Sequence, residues 1–343
     1  MFNISQKRII LIFLAIFFLA VVFVALRIGL FLINPAERGG ADQVVVVKEG
    51  LSLQGVADEL ERTKIITNRS LFIIWARVMG YGTKIKAGEY QLSPRMAPIR
   101  VLEILTTGTI ITHAVTIPEG FTREQIAELL SRKGLVNKLR FLSLTDDPEV
   151  LKKYGISGPS LEGYLYPDTY QVGRGLSAES IIDVMVRRFW EVAKPFAKRA
   201  EESGMKMKEV VIIASIVEKE TGLGEERPII ASVFLNRIKK RMRLASDPTV
   251  IYGIKNFDGN LTRKDLATRT PYNTYVIRGL PPGPIANPGQ EAIKAVLYPA
   301  KTNYLYFVSK NDGSHHFSKT LKEHNKAVIK YQKRRRTRYR KTS

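Results

Sequence analysis

The longest apolar stretch of the chain lies at its N-terminus. Residues 9–26 contain no polar side chain, and after Arg27 the apolar pattern continues to Ile33. As a helix, this stretch would be ~37 Å long, enough to cross the ~30 Å hydrocarbon core of a membrane with some tilt. A cleaved signal peptide has a shorter apolar region followed by small residues, whereas bulky Phe31 and Leu32 occupy that place here. The pattern therefore predicts an uncleaved transmembrane helix at residues 9–33.

An internal repeat follows in the first half of the chain. Shifted by 70 residues, Val45–Arg62 aligns with Val115–Arg132, and six of 18 positions are identical. Each copy has a strand-like run, a glycine turn and apolar residues at helical spacing, and Thr122 with Gln125 fits a capping box. Between the copies the pattern predicts, in order, a helix, a turn with a strand, and a helix, at Leu71–Val78, Ala87–Leu92 and Ile99–Thr106.

Composition narrows the class of protein. The chain has 54 Lys and Arg against 32 Asp and Glu, a formal charge of +22, and no Cys. Nucleic acid, anionic lipid or an anionic wall polymer would attract this charge, and a disulfide, a thiol nucleophile and a Cys-type zinc site are excluded. Lys7 and Arg8 precede the apolar helix, which favours a cytoplasmic N-terminus and an exported body. We therefore expect a single-pass protein of the cell (inner) membrane, with no nucleic acid as partner.

The strongest candidate for chemistry is the segment Lys208–Thr221, with the sequence KEVVIIASIVEKET. Its apolar run predicts a buried helix, and Glu218 follows that run directly. At helical spacing Glu218 has small neighbours that leave room for a bulky ligand, while Glu220 points roughly to the opposite side. A carboxyl at an apolar edge favours its protonated form, as a glycosidic general acid requires. The alternative is a structural ion pair of Glu218 with Arg227 or Arg237.

Six segments resemble the signature segments of the MltG (YceG-like) family of bacterial membrane-anchored endolytic murein transglycosylases. They are SLEGYLYPDTY (Ser160–Tyr170), ASIVEKET (Ala214–Thr221), SVFLNRI (Ser232–Ile238), MRLASDPTVIYG (Met242–Gly253), TPYNTYVIRGLPPGPIANPG (Thr270–Gly289) and YPAKTNYLYFV (Tyr298–Val308). The resemblance runs from about Val44 to about Tyr331 and also matches the N-terminal anchor.

The resemblance implies a lyase that cleaves nascent peptidoglycan between N-acetylmuramic acid and N-acetylglucosamine. No water is consumed, because the muramyl 6-hydroxyl attacks its own anomeric carbon and leaves a 1,6-anhydro end. It assigns the catalytic acid to the first glutamate of the EKET segment, Glu218, which would then serve as base. Intramolecular attack removes the need for a second carboxylate. Trimming or termination of glycan strands, with peptidoglycan synthases as partners, is implied in the same way.

Other polar residues of the matching segments are candidates for contact with the sugars. Their amide, hydroxyl and carboxyl groups can bond sugar hydroxyls and acetamides, and a tyrosine ring can stack on a sugar face. The candidates are Glu162, Asn236, Asp247, Tyr272, Asn273 and Thr274. Asp247 could instead be a turn or helix-cap residue, Asn273 a turn residue and Asn236 a polar group that packs on a helix.

Histidines offer little for a metal site. Of the four in the chain, His315 and His316 are adjacent, and we expect them in a turn before the last helix. Further ligands cannot be identified around them, and acid–base chemistry needs no metal. The sequence therefore predicts neither a metal site nor a cofactor.

The expected fold is α+β, with an N-terminal transmembrane helix, a LysM-like glycan-binding module and an α+β catalytic domain. The boundaries are a cytoplasmic stub at residues 1–8, the helix at 9–33, a linker at 34–43, the module at 44–145, the catalytic domain at 146–331 and a tail at 332–343. From Lys330 onward the chain carries eight Lys or Arg and no acid, which predicts a disordered tail that could bind anionic surfaces.

Two alternatives to the enzyme remain open. A membrane-anchored LysM-like peptidoglycan-binding protein without turnover would explain the repeat, but it needs no acid in the EKET segment. An anchored binder of polyanions would explain the charge but none of the six segments. Anhydro-muramyl products would favour the enzyme over both.

Overall fold

The computed structural model describes residues 4–333 of the 343, so residues 334–343 of the predicted basic tail lie outside the described residues. Helices alternate with short strands, which confirms the mixed α+β class. Within the described part, the strands form three two-stranded sheets, β1 with β2, β3 with β4, and β5 with β6. The strands are Gln43–Val47 (β1), Gly88–Leu92 (β2), His113–Thr116 (β3), Thr169–Val172 (β4), Tyr306–Ser309 (β5) and His315–Ser318 (β6).

The N-terminal helix α1 covers Ile4–Ile33 and includes the predicted spanning segment. From Arg8 to Ile33 it is long and apolar enough to cross a membrane, and its most apolar part is not buried within the protein. Within residues 8–33, only Phe31 and Leu32 near the C-terminal end are buried. A helix with apolar residues on all sides and almost none buried is compatible with a single-pass membrane anchor.

The chain divides into two compact units. The first contains the described residues up to Ala114 together with Gln171–Ser177. Its helices after α1 are α2 (Leu53–Arg62), α3 (Arg69–Val78) and α4 (Pro98–Thr107). The antiparallel strands β1 and β2 pair Val45 with Tyr90, and both side chains are buried in the core that the helices cover. The predicted elements between the repeat copies are thereby confirmed, and whether this fold is LysM-like stays a prediction.

The second unit contains Val115–Tyr170 and the described residues after Ser177. Its short helices before β4 are α5 (Arg123–Arg132), α6 (Lys138–Thr145) and α7 (Pro148–Lys153). The helices after β4 are α8 (Ala178–Ala193), α9 (Ala197–Glu202), α10 (Met207–Glu220), α11 (Arg227–Lys239), α12 (Asp247–Tyr252), α13 (Arg263–Ala267), α14 (Gln290–Leu297) and α15 (Leu321–Val328). A 3₁₀ turn (Lys194–Phe196) and a π turn (Ile329–Lys333) extend two of them. The predicted boundary at residues 145 and 146 falls inside this unit and stays a prediction.

Helix α10 is the centre of the second unit. Every residue from Val210 to Val217 is buried, and α10 packs against α11, α12 and α14. A helix that is apolar all round is stable only when other elements cover it on all sides. The predicted buried helix is therefore confirmed, and its C-terminal end is held in fixed surroundings.

Both repeat copies have the same local structure. In each, a strand leads to a glycine in the left-handed region, Gly50 with φ 80° and Gly120 with φ 75°. A hydroxyl side chain then caps a ten-residue helix, Ser52 for α2 and Thr122 for α5, and Thr122 forms the predicted capping box with Gln125. Glycine adopts this conformation without the steric cost of a Cβ, so the turn explains why both glycines are retained in the two copies.

Gly163 provides a test of how the second unit is packed around α10. It has φ 87°, and a Cβ there would lie 2.5 Å from Cγ of Pro284 and 2.9 Å from Cγ1 of Val211. We expect Gly163→Ala to destabilise the protein by roughly 3 kcal/mol, because overpacking adds to the left-handed strain. Gly204→Ala, with φ 72° and no atom within 4 Å of the added Cβ, should cost only ~1 kcal/mol. Thermal unfolding of the full chain in detergent measures both, and equal losses would contradict the packing.

Candidate active site

Two carboxylates at the end of α10 point in different directions. The helix stops at Glu220 because Thr221 leaves the helical conformation, with φ −144° and ψ 137°. Glu218 and Glu220 are two residues apart, so their side chains leave the last turn on different sides. The divergence expected from the spacing is confirmed, because the two carboxylates have different hydrogen-bond partners.

Glu218 is enclosed by polar groups of the second unit. Its Oε1 accepts a hydrogen bond from Nη2 of Arg227 at 2.9 Å, and its Oε2 accepts one from the backbone N–H of Gly289 at 3.0 Å. Only 5% of the side chain is exposed. Burial raises the pKa of Glu218, while the Gly289 N–H and the Arg227 charge act in the opposite direction. The ion pair weighed as an alternative is therefore present, with Arg227 as the partner.

A second carboxylate belongs to this cluster. Glu119, in the turn of the second repeat copy, lies 3.4 Å from Nη2 of Arg227. A Cβ on Gly289 would overlap the Glu119 carboxylate, and one on Gly120 would lie 3.6 Å from Cγ of Glu218. Glu119, Arg227 and Gly289 thus form a polar cluster with Glu218, and room for a ligand beside its small helical neighbours stays a prediction.

Glu220 lies at a pocket of about 430 Å³. Its Oε1 accepts a hydrogen bond from Oγ of Ser246 at 2.5 Å. Burial raises the pKa of Glu220 to about 7, with the Ser246 hydrogen bond and Arg237 opposing the shift and Asp247 adding to it. A carboxyl that is partly protonated at neutral pH can both donate and accept a proton. The ionisable and aromatic side chains around the pocket are Glu220, Arg237, Asp247, Tyr275, Tyr306, His315 and His324.

Arg237 and Asp247 form opposite charges on the wall of this pocket. Arg237 donates through Nε to the carbonyl oxygen of Leu305 at 2.7 Å and through Nη1 to that of Leu244. Its guanidinium lies over the ring of Tyr306, 5.4 Å from the centroid. The exposed Asp247 accepts a hydrogen bond from the Tyr275 hydroxyl at 2.6 Å. The pocket can therefore contact both the hydroxyl and the charged groups of a ligand.

Three other predicted residues make hydrogen bonds within the protein. Asn236 donates to the carbonyl oxygens of Thr302 and Tyr304. Asn273 is fully buried, and its Nδ2 donates to three carbonyl oxygens of the segment 265–268. Thr274 is fully buried beside Thr249, with 2.8 Å between the hydroxyls. These bonds match the turn and packing roles weighed from the sequence, and contact with substrate stays a prediction.

Glu162 is the centre of a second buried network. Its carboxylate accepts hydrogen bonds from the Arg123 N–H, the Tyr252 hydroxyl at 3.1 Å and Nδ2 of Asn287 at 2.8 Å. Burial raises the pKa of Glu162 to about 8, with the Arg123 N–H opposing the shift. The ring of Tyr272 packs 4.8 Å from that of Tyr252. Substrate contact by Glu162 or Tyr272 stays a prediction.

The sequence did not predict the secondary structure or the neighbours of several residues. His315 and His316 lie in β6, so their expected position in a turn was wrong. A strand of four residues gives too weak a pattern in the sequence to be distinguished from a turn. Glu119 could have been singled out, because it is one of the identical positions of the repeat. Among the described residues there is no group of three His, Asp or Glu side chains placed to hold a metal ion.

Comparisons with known proteins support the resemblance that the six sequence segments indicated. The YceG-like family model matches residues 45–330. The chain belongs to the YceG-like family. It is 33% identical over 320 residues to the endolytic murein transglycosylase of Bacillus subtilis, which covers 88% of this chain and 89% of that protein. The enzyme of the same name from Streptococcus pneumoniae serotype 2 is 28% identical, over 87% of this chain and 60% of its own length.

A solved structure shows the same fold. The crystal structure of a yceG-like protein from Listeria monocytogenes is 37% identical and superposes with a TM-score of 0.59. The match covers 84% of this chain and all of that chain. The family relationship therefore extends from sequence to three-dimensional structure.

Glu162 makes the stability of the protein depend on pH. Its pKa rises from an ordinary value of about 4.5 to about 8 on folding, so the folded state favours the protonated carboxyl. The stabilisation is complete below about 4.5 and is lost as the pH rises towards about 8. We expect the melting temperature of the wild type to fall relative to that of Glu162→Gln over this window. Glu191→Gln, at a side chain 66% exposed, should follow the wild type, and parallel curves for all three would contradict the assignment.

Proposed function

We propose that this protein is an endolytic murein transglycosylase, a lyase that acts on peptidoglycan. The observation that carries the proposal is the pair of carboxyls at the end of α10, Glu218 and Glu220, whose pKa values are raised by burial, in the domain shared with relatives of that name. A carboxyl with a raised pKa is the kind of acid that glycosidic bond cleavage requires. A glycan-binding protein without turnover would have no need to hold such a group.

In the proposed reaction, one C1–O bond of the sugar breaks and another C1–O bond forms. A proton passes to the oxygen that leaves from C1 of N-acetylmuramic acid, and the C1–O bond to that oxygen breaks. The muramyl 6-hydroxyl then bonds to C1 and loses its proton, which gives a 1,6-anhydro end. Because the nucleophile belongs to the substrate, its effective concentration is high and no water has to be positioned. Cleavage within nascent strands would trim or terminate them.

Two carboxyls at the end of α10 can be compared for the role of acid. Resemblance to the family assigned this role to the first glutamate of EKET, Glu218. Glu218 is 5% exposed, and burial raises its pKa although the Gly289 N–H and Arg227 oppose the shift, so its protonated form is favoured relative to a free glutamate. Glu220 lies at the pocket and accepts one hydrogen bond, from the Ser246 hydroxyl. We therefore propose Glu218 as the proton donor and Glu220 as a group that contacts the ligand in the pocket.

The anchor and the first unit supply the setting of the reaction in this proposal. Helix α1 would hold the protein in the cell membrane with its N-terminus in the cytoplasm, because Lys7 and Arg8 precede the apolar segment. The second unit would then act on peptidoglycan outside, where synthases produce new strands. The first unit, with its strand–turn–helix copy, is the proposed LysM-like contact to the glycan.

The two glutamates can be separated by matched substitutions. We expect Glu218→Gln to reduce release of anhydro-muramyl products from purified sacculi by a factor of ~10²–10⁴, the usual contribution of a general acid. Glu220→Gln keeps an acceptor oxygen for the Ser246 hydroxyl, so it should retain much more activity. Mass spectrometry of the digests measures both variants. The reverse order would assign the acid to Glu220, and hydrated reducing ends from the wild type would indicate a hydrolase.

Ser246 tunes the pKa of Glu220. Its hydroxyl donates to the ionised Glu220 carboxylate and so opposes the rise of the Glu220 pKa. We expect Ser246→Ala to raise this pKa further, because the ionised form loses a hydrogen bond. The pH dependence of the side-chain carboxyl resonances of isotope-labelled protein measures the shift. Ser143→Ala, at an exposed serine of α6, is the control, and an unchanged Glu220 titration in Ser246→Ala would contradict the hydrogen bond.

A further inference from the structure

Helix α3 of the first unit is apolar on nearly all sides. Between Leu71 and Val78 its only charged side chain is Arg77. Phe72 and Ala76 are buried in the core of the first unit. A helix that is apolar all round is stable in water only when other elements cover every side of it. The first unit buries one side of α3, so the opposite side presents apolar residues to the surroundings.

The exposed side of α3 is formed by residues at helical spacing. Ile74 and Val78 are four residues apart, so they are neighbours along one face, about half a turn around the helix from Phe72. Val78 is 73% exposed, and Met79, at the C-cap, is also exposed. Single exposed apolar side chains are normal on protein surfaces, but a group of them on one short helix indicates an interaction site.

Helix α3 lies beside the end of the apolar helix α1. Both α3 and α4 pack against α1. Ile28 is partly buried against the core of the first unit, and Phe31 and Leu32 belong to that core. The first unit therefore encloses the C-terminal end of α1, and no linker separates the two.

The length of α1 determines how far the first unit lies from a membrane. A hydrocarbon core of ~30 Å is crossed by about 20 helical residues. Counted from Ile9, where the apolar segment begins, these residues end near Ile28. Within residues 8–33, Ile28 is also the first side chain that is not exposed. The first unit thus begins where the hydrocarbon core would end, and helices that pack on this end of α1 lie at the level of the lipid headgroups.

We propose that α3 is an interfacial helix that lies in the surface of the membrane that α1 spans. Ile74 and Val78 enter the boundary between headgroups and acyl chains, where the apolar face of a surface helix reaches a depth of roughly 5–10 Å. Arg77, three residues from Ile74, contacts lipid phosphates, and Trp75 supplies an amphipathic ring of the kind enriched at this level. The inference rests on the anchoring role of α1 in the proposed function.

The lipid bilayer is the partner because the exposed face of α3 adjoins a helix whose own exposed surface is apolar from Ile9 onward. One membrane therefore covers both surfaces. With one helix across the bilayer and a second along it, the first unit keeps a fixed orientation instead of rotating about α1. A second copy of the chain or another protein on the same face is the competing explanation.

The depth of α3 can be measured with single labels, because the chain contains no Cys. Val78→Cys is the test site, and Val184→Cys in α8 is the matched control at another exposed valine. Phe17→Cys, near the middle of α1, marks the hydrocarbon core. Each variant of the full chain carries a nitroxide label in nanodiscs of phosphatidylethanolamine and phosphatidylglycerol. Power saturation measures the accessibility of the label to oxygen, which concentrates in lipid, and to a nickel chelate, which stays in water.

We expect the label at Val78→Cys to lose most of its accessibility to nickel and to gain accessibility to oxygen, relative to that at Val184→Cys. Values typical of water at Val78→Cys, with the Phe17→Cys label in lipid, would overturn the proposal and leave the anchor intact. Protection of the Val78→Cys label from both reagents would indicate a protein contact and would also overturn it. A Phe17→Cys label that is accessible to nickel would refute the anchor as well.

Tryptophan fluorescence gives an independent measurement with α3 unchanged. The chain has two tryptophans, Trp75 in α3 and Trp190 in α8. Trp190→Phe leaves Trp75 as the reporter, and Trp75→Phe leaves Trp190 as the control. Lipids brominated on their acyl chains should quench Trp75 strongly and Trp190 weakly, and an unquenched Trp75 would contradict the interfacial position. Wild-type protein that yields no anhydro ends from sacculi would refute the proposed enzyme, whatever the depth of α3.

Discussion

The burial of α10 is the constraint on which the rest of the second unit depends. Its residues from Val210 to Val217 are all buried, so the chain must cover every side of this helix and must also satisfy the charges that follow it. Glu218 meets Arg227 and the N–H of Gly289, which ties the starts of α11 and α14 to the end of α10. The fixed position of the acid is thus a consequence of packing an apolar helix.

The same local structure is put to different use in the two repeat copies. In the first unit, Glu49 accepts a hydrogen bond from the Ser177 N–H at 2.8 Å, so the turn closes part of the core of that unit. In the second, the equivalent Glu119 lies beside Arg227 and Gly289. Glycine in the left-handed region allows this close approach in both. The turn of the first copy therefore makes a structural contact, and the turn of the second copy lies beside the candidate active site.

The buried carboxylates of the second unit differ in their partners. Glu162 and Glu226 receive several hydrogen bonds from fixed donors and hold loops or His315 in place. Glu220 receives one, from Ser246, and faces a cavity. Burial raises the pKa of Glu162 to about 8 and that of Glu220 to about 7. A raised pKa therefore does not by itself identify a reactive group, because the group must also reach the ligand.

The sequence alone determined the local features of this protein. Apolar runs and helical spacing located α1 and α10, the repeat located the strand–turn–helix copies, and the long segments placed the chain in its family. These features depend on residues that are close together along the chain, so periodicity and capping residues are enough to predict them. Element boundaries agreed within a few residues, and the fold class followed from the alternation of short strands and helices.

Tertiary structure decided which groups meet. Glu218 and Glu220 are two residues apart in one segment, yet only the arrangement of α11, α12 and α14 gives one a permanent cation and the other a pocket. His315 and Glu226 are 89 residues apart, and no pattern along the chain relates them. A proton-transfer group is defined by burial, partners and access, and each of these is a property of distant segments packed together. Sequence therefore predicted the helix that carries the chemistry, and the fold selected the groups that face the cavity.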